Sequence, residues 1–153
     1  MKDDSETRLL AEVATLASRG NLREALAKLD QCEPGPRLEL TAMLMRAQIL
    51  ERVDTEECWR TYTSALEKFP DDAAIPLRAG VFTYKRGDLI RAQQLLMKSW
   101  QRSPSAEAGY YLAQITKVQS QQQSALEYLV QTVALEGEDG YWRKQAEQEL
   151  TSA

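Results

Sequence analysis

Residues 78–104 read RAGVFTYKRGDLIRAQQLLMKSWQRSP. Gly80 and Gly87 sit seven apart, Ala92 follows five residues later, and Pro104 closes the stretch. Glycine and proline interrupt helices, yet the residues between them favour helix. Two antiparallel helices satisfy both tendencies. Gly87 takes the left-handed conformation that ends the first helix and turns the chain. Asp88 then stands where an N-cap belongs. Gly80 and Ala92 are small because the two helices approach closely there, and Pro104 stops the second helix.

The same grammar recurs along the chain. Ala92 has counterparts at Ala25, Cys58 and Ala125, at intervals of 33, 34 and 33 residues. Gly87 matches Gly20, and Pro104 matches Pro70. A sustained period near 34 is the signature of stacked structural repeats. Each period reads as two helices. The first helices are expected at about Glu6–Ser18, Leu38–Arg52, Ala73–Lys85 and Ser105–Val118. The second helices are expected at about Leu22–Cys32, Thr55–Lys68, Leu89–Arg102 and Gln121–Leu135. Apolar residues recur three and four apart, as at Leu89, Ala92, Leu95, Leu96 and Trp100. No segment alternates with period two, so no strand is expected. Residues 138–153 form one more amphipathic helix, with Tyr141, Trp142, Ala146 and Leu150 on one side. It serves as the polar cap that stacked repeats need.

This pattern resembles the tetratricopeptide repeat (TPR) family at Ala79, Gly80, Gly87, Ala92, Leu96 and Pro104. In the second period the match lies at Met45, Ile49, Cys58, Tyr62, Ala65 and Pro70. Leu16, Gly20, Ala25 and Leu29 carry it in the first period, and Leu112, Ala113, Ala125 and Leu129 in the fourth. The resemblance implies an all-α, right-handed superhelical solenoid. It is expected as a single domain over 1–153, with repeats at about 6–37, 39–72, 73–105 and 106–137 and a cap at about 138–152. Two departures stand out. The early Trp of the repeat is absent, and the mid-first-helix aromatic is replaced by Leu16, Ile49, Thr83 and Thr116. The fourth period has Gln119-Ser120-Gln121 where a glycine turn belongs.

Composition narrows the function. The 153 residues carry 19 Lys plus Arg and 23 Asp plus Glu, a net charge of −4. An acidic balance without a basic block argues against nucleic acid and anionic membrane as partners. No apolar run approaches the roughly 20 residues a membrane span needs. The polar N-terminal sequence has no signal-peptide core, and the chain reads as cytoplasmic. There is no histidine, and Cys32 and Cys58 are the two cysteines, read as reduced thiols. Without histidine the usual base for a serine or cysteine nucleophile is missing. Glu56-Glu57 and Glu147/Glu149 do not face one another on a helix. The chain is therefore read as a non-enzyme with no cofactor and no metal.

What remains is binding. The resemblance implies a concave face lined by the first helices, which holds protein segments. The groove positions it implies are Leu10, Ala11 and Ala14, then Leu40, Met43, Leu44, Ala47 and Leu50. They continue with Leu77, Arg78, Val81, Tyr84 and Lys85, then Tyr110, Tyr111, Gln114 and Lys117. The first half is apolar and suits an amphipathic helix or apolar peptide. The second half is aromatic and basic and suits an acidic partner group. Leu and Met at this spacing read equally as core. Adjacent Tyr110 and Tyr111 point about 100° apart, so at most one lies fully in the groove. The family's chaperone-tail clamp grips a carboxylate with Lys and Asn. Here those positions hold Leu10, Ala14, Met43 and Ala47, so that binding mode is not expected. The expected function is an adaptor or chaperone for a protein or peptide partner. In size and architecture the chain is similar to bacterial secretion chaperones of this repeat class. The alternative is a self-associating homo-oligomeric scaffold, with Trp59, Trp100 and Trp142 as candidate contacts.

Overall fold

The computed structural model describes residues 2–152, with side chains from Asp4 onward. Met1 and Ala153, the ends of the expected domain, lie outside the described residues. Among the described residues every regular element is an α-helix. In order these are α1 (Lys2–Ser18), α2 (Leu22–Asp30), α3 (Glu39–Leu50), α4 (Thr55–Lys68) and α5 (Ala74–Lys85). They continue with α6 (Leu89–Arg102), α7 (Ala106–Val118), α8 (Gln122–Leu135) and α9 (Tyr141–Ser152). All the helices expected from the repeat are present. The largest shift is at α1, which starts at Lys2 rather than Glu6. Among the described residues no helix is long and apolar enough to cross a membrane.

The turns follow from local chemistry. Gly87 has φ +84°, its N–H donates to Tyr84 O, and Asp88 N–H donates to Thr83 O. This crossed pair is a Schellman motif. The Asp88 carboxylate then accepts from Arg91 N–H at 3.1 Å and starts α6. Gly20, at φ +83°, makes the same pair of bonds to Ala17 and Leu16. In the fourth repeat Ser120 takes this role without being glycine, at φ 62°, and the bonds to Lys117 and Thr116 are kept. In these three turns the motif's geometry recurs whatever the turn residue, whereas at the α3–α4 turn Val53 and Asp54 N–H both donate to Leu50 O instead. Asp54 caps α4 by accepting from Glu57 N–H. Asp72 caps α5 by accepting from both Ala74 and Ile75 N–H, at 2.8 and 3.1 Å. That lets Pro76 sit in the first turn, where its missing N–H costs nothing.

The chain divides into two units, Met1–Pro70 and Asp71–Ala153. In the first, α1 pairs with α2 and α3 with α4. Its core is Leu10, Val13, Ala25, Leu29, Ala42 and Ile49. The buried Cys58 thiol donates to Ala47 O at 3.2 Å across the close contact of α3 and α4. The buried Glu6 carboxylate accepts from Gly35 N–H at 3.0 Å and pins the Pro34–Pro36 turn to α1. Both cysteines are free thiols.

In the second unit α5 pairs with α6, α7 with α8, and α9 packs on α8 and α7. One core cluster is Val81, Ala92, Leu96, Leu112 and Ile115, and another is Ala113, Leu129 and Ala146. A Cβ added to Gly80 would lie 2.8 Å from Leu96 Cγ and 3.3 Å from its backbone nitrogen. Leu96 is itself fully buried, so it has no space to yield. Thr83 and Thr116 stand in the buried positions of the repeat's missing aromatics. Each hydroxyl donates to carbonyls one turn back, Thr83 to Ala79 and Gly80, and Thr116 to Leu112 and Ala113. A small polar residue is tolerated there because its only polar group is satisfied within its own helix.

Two stability outcomes follow. Gly80→Val drives its side chain into Leu96 and is expected to cost about 1–3 kcal/mol by urea denaturation. An unchanged midpoint would show that α5 and α6 can separate freely. Ser120→Gly relieves a left-handed backbone on a residue with a Cβ and is expected to raise stability by roughly 1 kcal/mol. A rise in thermal midpoint, absent in Gln119→Gly, checks it.

Candidate protein-interaction surface

In the first unit, α1 and α3 carry the apolar positions implied for the groove. Ala11 and Ala14 are exposed, and Leu40, Met43 and Leu44 are half-buried. Three assignments are corrected here. Leu10, Ala47 and Leu50 are buried, so they belong to the interior rather than to a binding face. Ala47 packs against α4, where the equally buried Cys58 donates its thiol to the Ala47 carbonyl. Beside this face is a crevice of about 260 Å³ lined by Ala14, Ala17, Leu22, Met45, Gln48, Ile49 and Arg52. It is mainly apolar, with one amide and one guanidinium among its lining groups.

In the second unit the implied groove residues on α5 and α7 meet each other. Arg78 is ion-paired with Glu107, and both are largely shielded. The Tyr84 and Tyr111 rings pack edge to face, with centroids 5.0 Å apart. Val81 is another correction, since it lies in the core with Leu112 and Ile115. Leu77 is half-buried against that same cluster. Lys85 is exposed at the end of α5. Arg78 is thus already paired and is not a free cation for a ligand.

The α7 face beyond Tyr111 is occupied by α9. Trp142 packs against Tyr110 and Tyr111, with ring centroids 5.3 Å from each. Two turns further on, Glu149 accepts from Gln114 Nε2 at 2.7 Å and from Lys117 Nζ at 3.1 Å. Tyr110, Tyr111, Gln114 and Lys117 therefore meet around a helix of the same chain. The two tyrosines are both engaged because Trp142 sits between their diverging directions.

Sequence reasoning missed the residues that hold α9. Glu149 reads as a solvated carboxylate beside Glu147. Its signal is spacing, because Trp142 and Glu149 are seven apart, as are Tyr110 and Lys117. Glu136 was also missed. Its carboxylate accepts from Arg143 N–H at 3.0 Å, and its carbonyl accepts from the Arg143 guanidinium at 3.2 Å. Gly140 makes room for this, since a Cβ there would lie 2.6 Å from Glu136 Cβ. Tyr141, expected on the packed side, is 63% exposed, with its ring perpendicular to that of Trp142 at 4.9 Å between centroids.

Among the described residues no three His, Cys, Asp or Glu side chains gather as a metal site. The perturbed groups on this surface are phenols. Burial first, then the Glu149 carboxylate, pushes the Tyr110 hydroxyl up. Burial first, then Glu107, does the same for Tyr111. Burial also raises Tyr128, whose hydroxyl donates to Met97 Sδ at 3.1 Å. A phenol whose folded pKa is raised supports the fold fully below its unfolded value near 10, and that support is lost as pH rises through the folded value. Unfolding midpoints are thus expected to hold to about pH 9 and fall above pH 10. Tyr110→Phe with Tyr111→Phe should flatten that fall, and an equal slope in the double variant would place its cause elsewhere.

No family model and no curated protein matches the chain. Solved structures do. A thermophilic TPR protein from Thermus thermophilus superposes with a TM-score of 0.74 at 17% identity, covering 94% of this chain and 80% of that one. A tetratricopeptide repeat protein from Parabacteroides merdae gives 0.73 at 19% identity, over 94% of this chain and 58% of that one. The PilF protein of Pseudomonas aeruginosa gives 0.73 at 18% identity, over 88% and 62%. This chain spans about three-fifths of the latter two. At such identities the likeness is one of fold, and it bears out the resemblance read from the sequence: this is an all-α protein of the tetratricopeptide-repeat fold.

Proposed function

We propose that the chain is a protein-interaction module rather than an enzyme, and that it serves as an adaptor or chaperone for a segment of a partner protein. The observation that carries this reading is the α7 face, where Tyr110, Tyr111 and Lys117 hold a helix by ring packing and an ion pair. Such contacts are the means by which protein surfaces recognise helices. Half-buried Leu40, Met43 and Leu44 on α3 offer a second, apolar surface. The two free thiols fit a reducing, cytoplasmic setting.

Photo-crosslinking tests the reading. A benzophenone side chain at Leu40, and separately at Leu44, is expected to capture the same partner protein, with crosslinked peptides mapping to one short segment. Leu44→Arg in a chain of unchanged helicity should reduce that capture at least five-fold. Crosslinks scattered over many proteins and positions would remove the proposal.

A self-associating scaffold is the second reading. It is favoured by Leu126 and Val130, which lie one turn apart and 38% and 57% exposed on the outer side of α8. Trp100 and Trp142 do not add to it, because Trp100 packs on Tyr128 and Trp142 on Tyr110. Sedimentation at micromolar concentration decides: a monomer excludes it, and a dimer lost in Val130→Glu supports it.

A further inference from the structure

The contact between α7 and α9 has the features of recognition. The two helices run in the same direction, because Trp142 meets Tyr110 and Tyr111, and Glu149 meets Lys117 seven residues later on both. Seven residues are two turns, about 10.5 Å along the axis. A ring at one end and a charge at the other therefore fix register. Helix α9 also packs on α8, where Ala146 shares a core cluster with Leu129 and Leu150 lies against it. Ala146 is its one residue described as buried, whereas α7 buries seven. The ion pair is exposed enough that it contributes little to stability and mainly orients. The connection from α8 is short, contains Gly137 and Gly140, and is stiffened chiefly by Glu136.

We propose that the α7 face is a seat for a parallel partner helix carrying an aromatic residue seven positions before an acidic one. In the free chain α9 is its resident occupant, and a partner helix of that chemistry takes its place. The argument rests on the protein-interaction reading above and specifies its partner. The occupant is inferred from complementarity: the seat offers aromatic faces and a lysine, and the seated helix answers with Trp142 and Glu149. A neutral or basic helix leaves Lys117 and the Gln114 amide without an acceptor.

The probe is a labelled peptide of residues 136–152, titrated into the full chain. In the wild type the tethered α9 competes at millimolar effective concentration, so binding is expected to be weak. Trp142→Ala with Ala146→Arg in the chain unseats α9, and the peptide should then bind at least ten-fold more tightly. A peptide carrying Trp142→Ala should lose that gain. Lys117→Glu in the unseated chain should weaken the peptide about five-fold, and Glu149→Lys in the peptide should restore it. Hydrogen exchange checks that α7 and α8 stay protected in the unseated chain.

If they do and no peptide binds, the proposal is overturned. If the unseated chain does not fold, excess peptide added to isotopically labelled wild type decides the matter. Loss of protection confined to α9 supports the exchange, and full protection at saturating peptide overturns it. Failure here leaves a partner captured from Leu44 untouched, so the two readings fail separately.

Discussion

Every hairpin in this protein depends on one steric constraint: two helices can lie antiparallel in close contact only where a side chain is small. The positions spaced by 33 or 34 residues, Ala25, Cys58, Ala92 and Ala125, are all buried in the structure. Gly80 leaves no room even for a methyl group beside Leu96 of α6, and Gly109 leaves none beside Thr132 of α8. The buried helix surfaces are then apolar in strips, and the turns need only deliver the second helix at the right angle. That is why the turn residue can vary between glycine and Ser120 while the Schellman bonds persist. Packing sets what the hairpin is, and the turn chemistry adjusts its cost by about a kcal/mol.

Within the second unit, consecutive first helices are joined by a repeated pair of contacts. α5 and α7 share an ion pair, Arg78 with Glu107, and a ring contact, Tyr84 with Tyr111. α7 and α9 share another ion pair, Lys117 with Glu149, and ring contacts from Trp142 to both tyrosines. Helix α9 thus stands where a further first helix would stand. The first helices bury their small and aliphatic residues toward the second helices. Their aromatic and charged residues are left to couple sideways. Those sideways groups are also the ones that resemblance to the fold marks for partners, so structural coupling and recognition draw on the same side chains.

The fold was legible in the sequence because it rests on residues whose meaning is local. Small residues at a fixed period, a glycine or an aspartate at a helix end, and apolar strips three and four apart each have one physical reading. The candidate site was less legible, since its residues have two. Ala47 and Val81 satisfy the groove pattern, yet both are buried, because a small or branched apolar side chain suits a core equally well. Arg78 reads as a free cation until Glu107 is seen across from it, 29 residues away. Glu149 reads as solvated until α9 is placed beside α7. Pairings between helices are not encoded in the period of either helix, and only a spacing shared by both, Tyr110 to Lys117 and Trp142 to Glu149, hints at them.

The balance at the α7 seat can be argued from its parts. Exposed ion pairs contribute at most about 1 kcal/mol, and an aromatic pair about 0.5–1.5 kcal/mol beyond its buried area. On the α8 side Ala146 packs with Leu129 and Leu150 lies against them, and the Glu136 cap steadies the first turn of α9. Against these stands the entropy of ordering the helix, which is large per residue. The tether adds to these contacts by holding α9 at high effective concentration beside its seat. Any competitor binds in proportion to the fraction of time the seat is open, so its apparent affinity falls by that fraction. The Glu136–Arg143 cap and the fit of Gly140 beneath it set that fraction as much as Trp142 does. They shape the connection that returns α9 to its seat. Changes in this connection would tune partner affinity without touching a single group on the binding face.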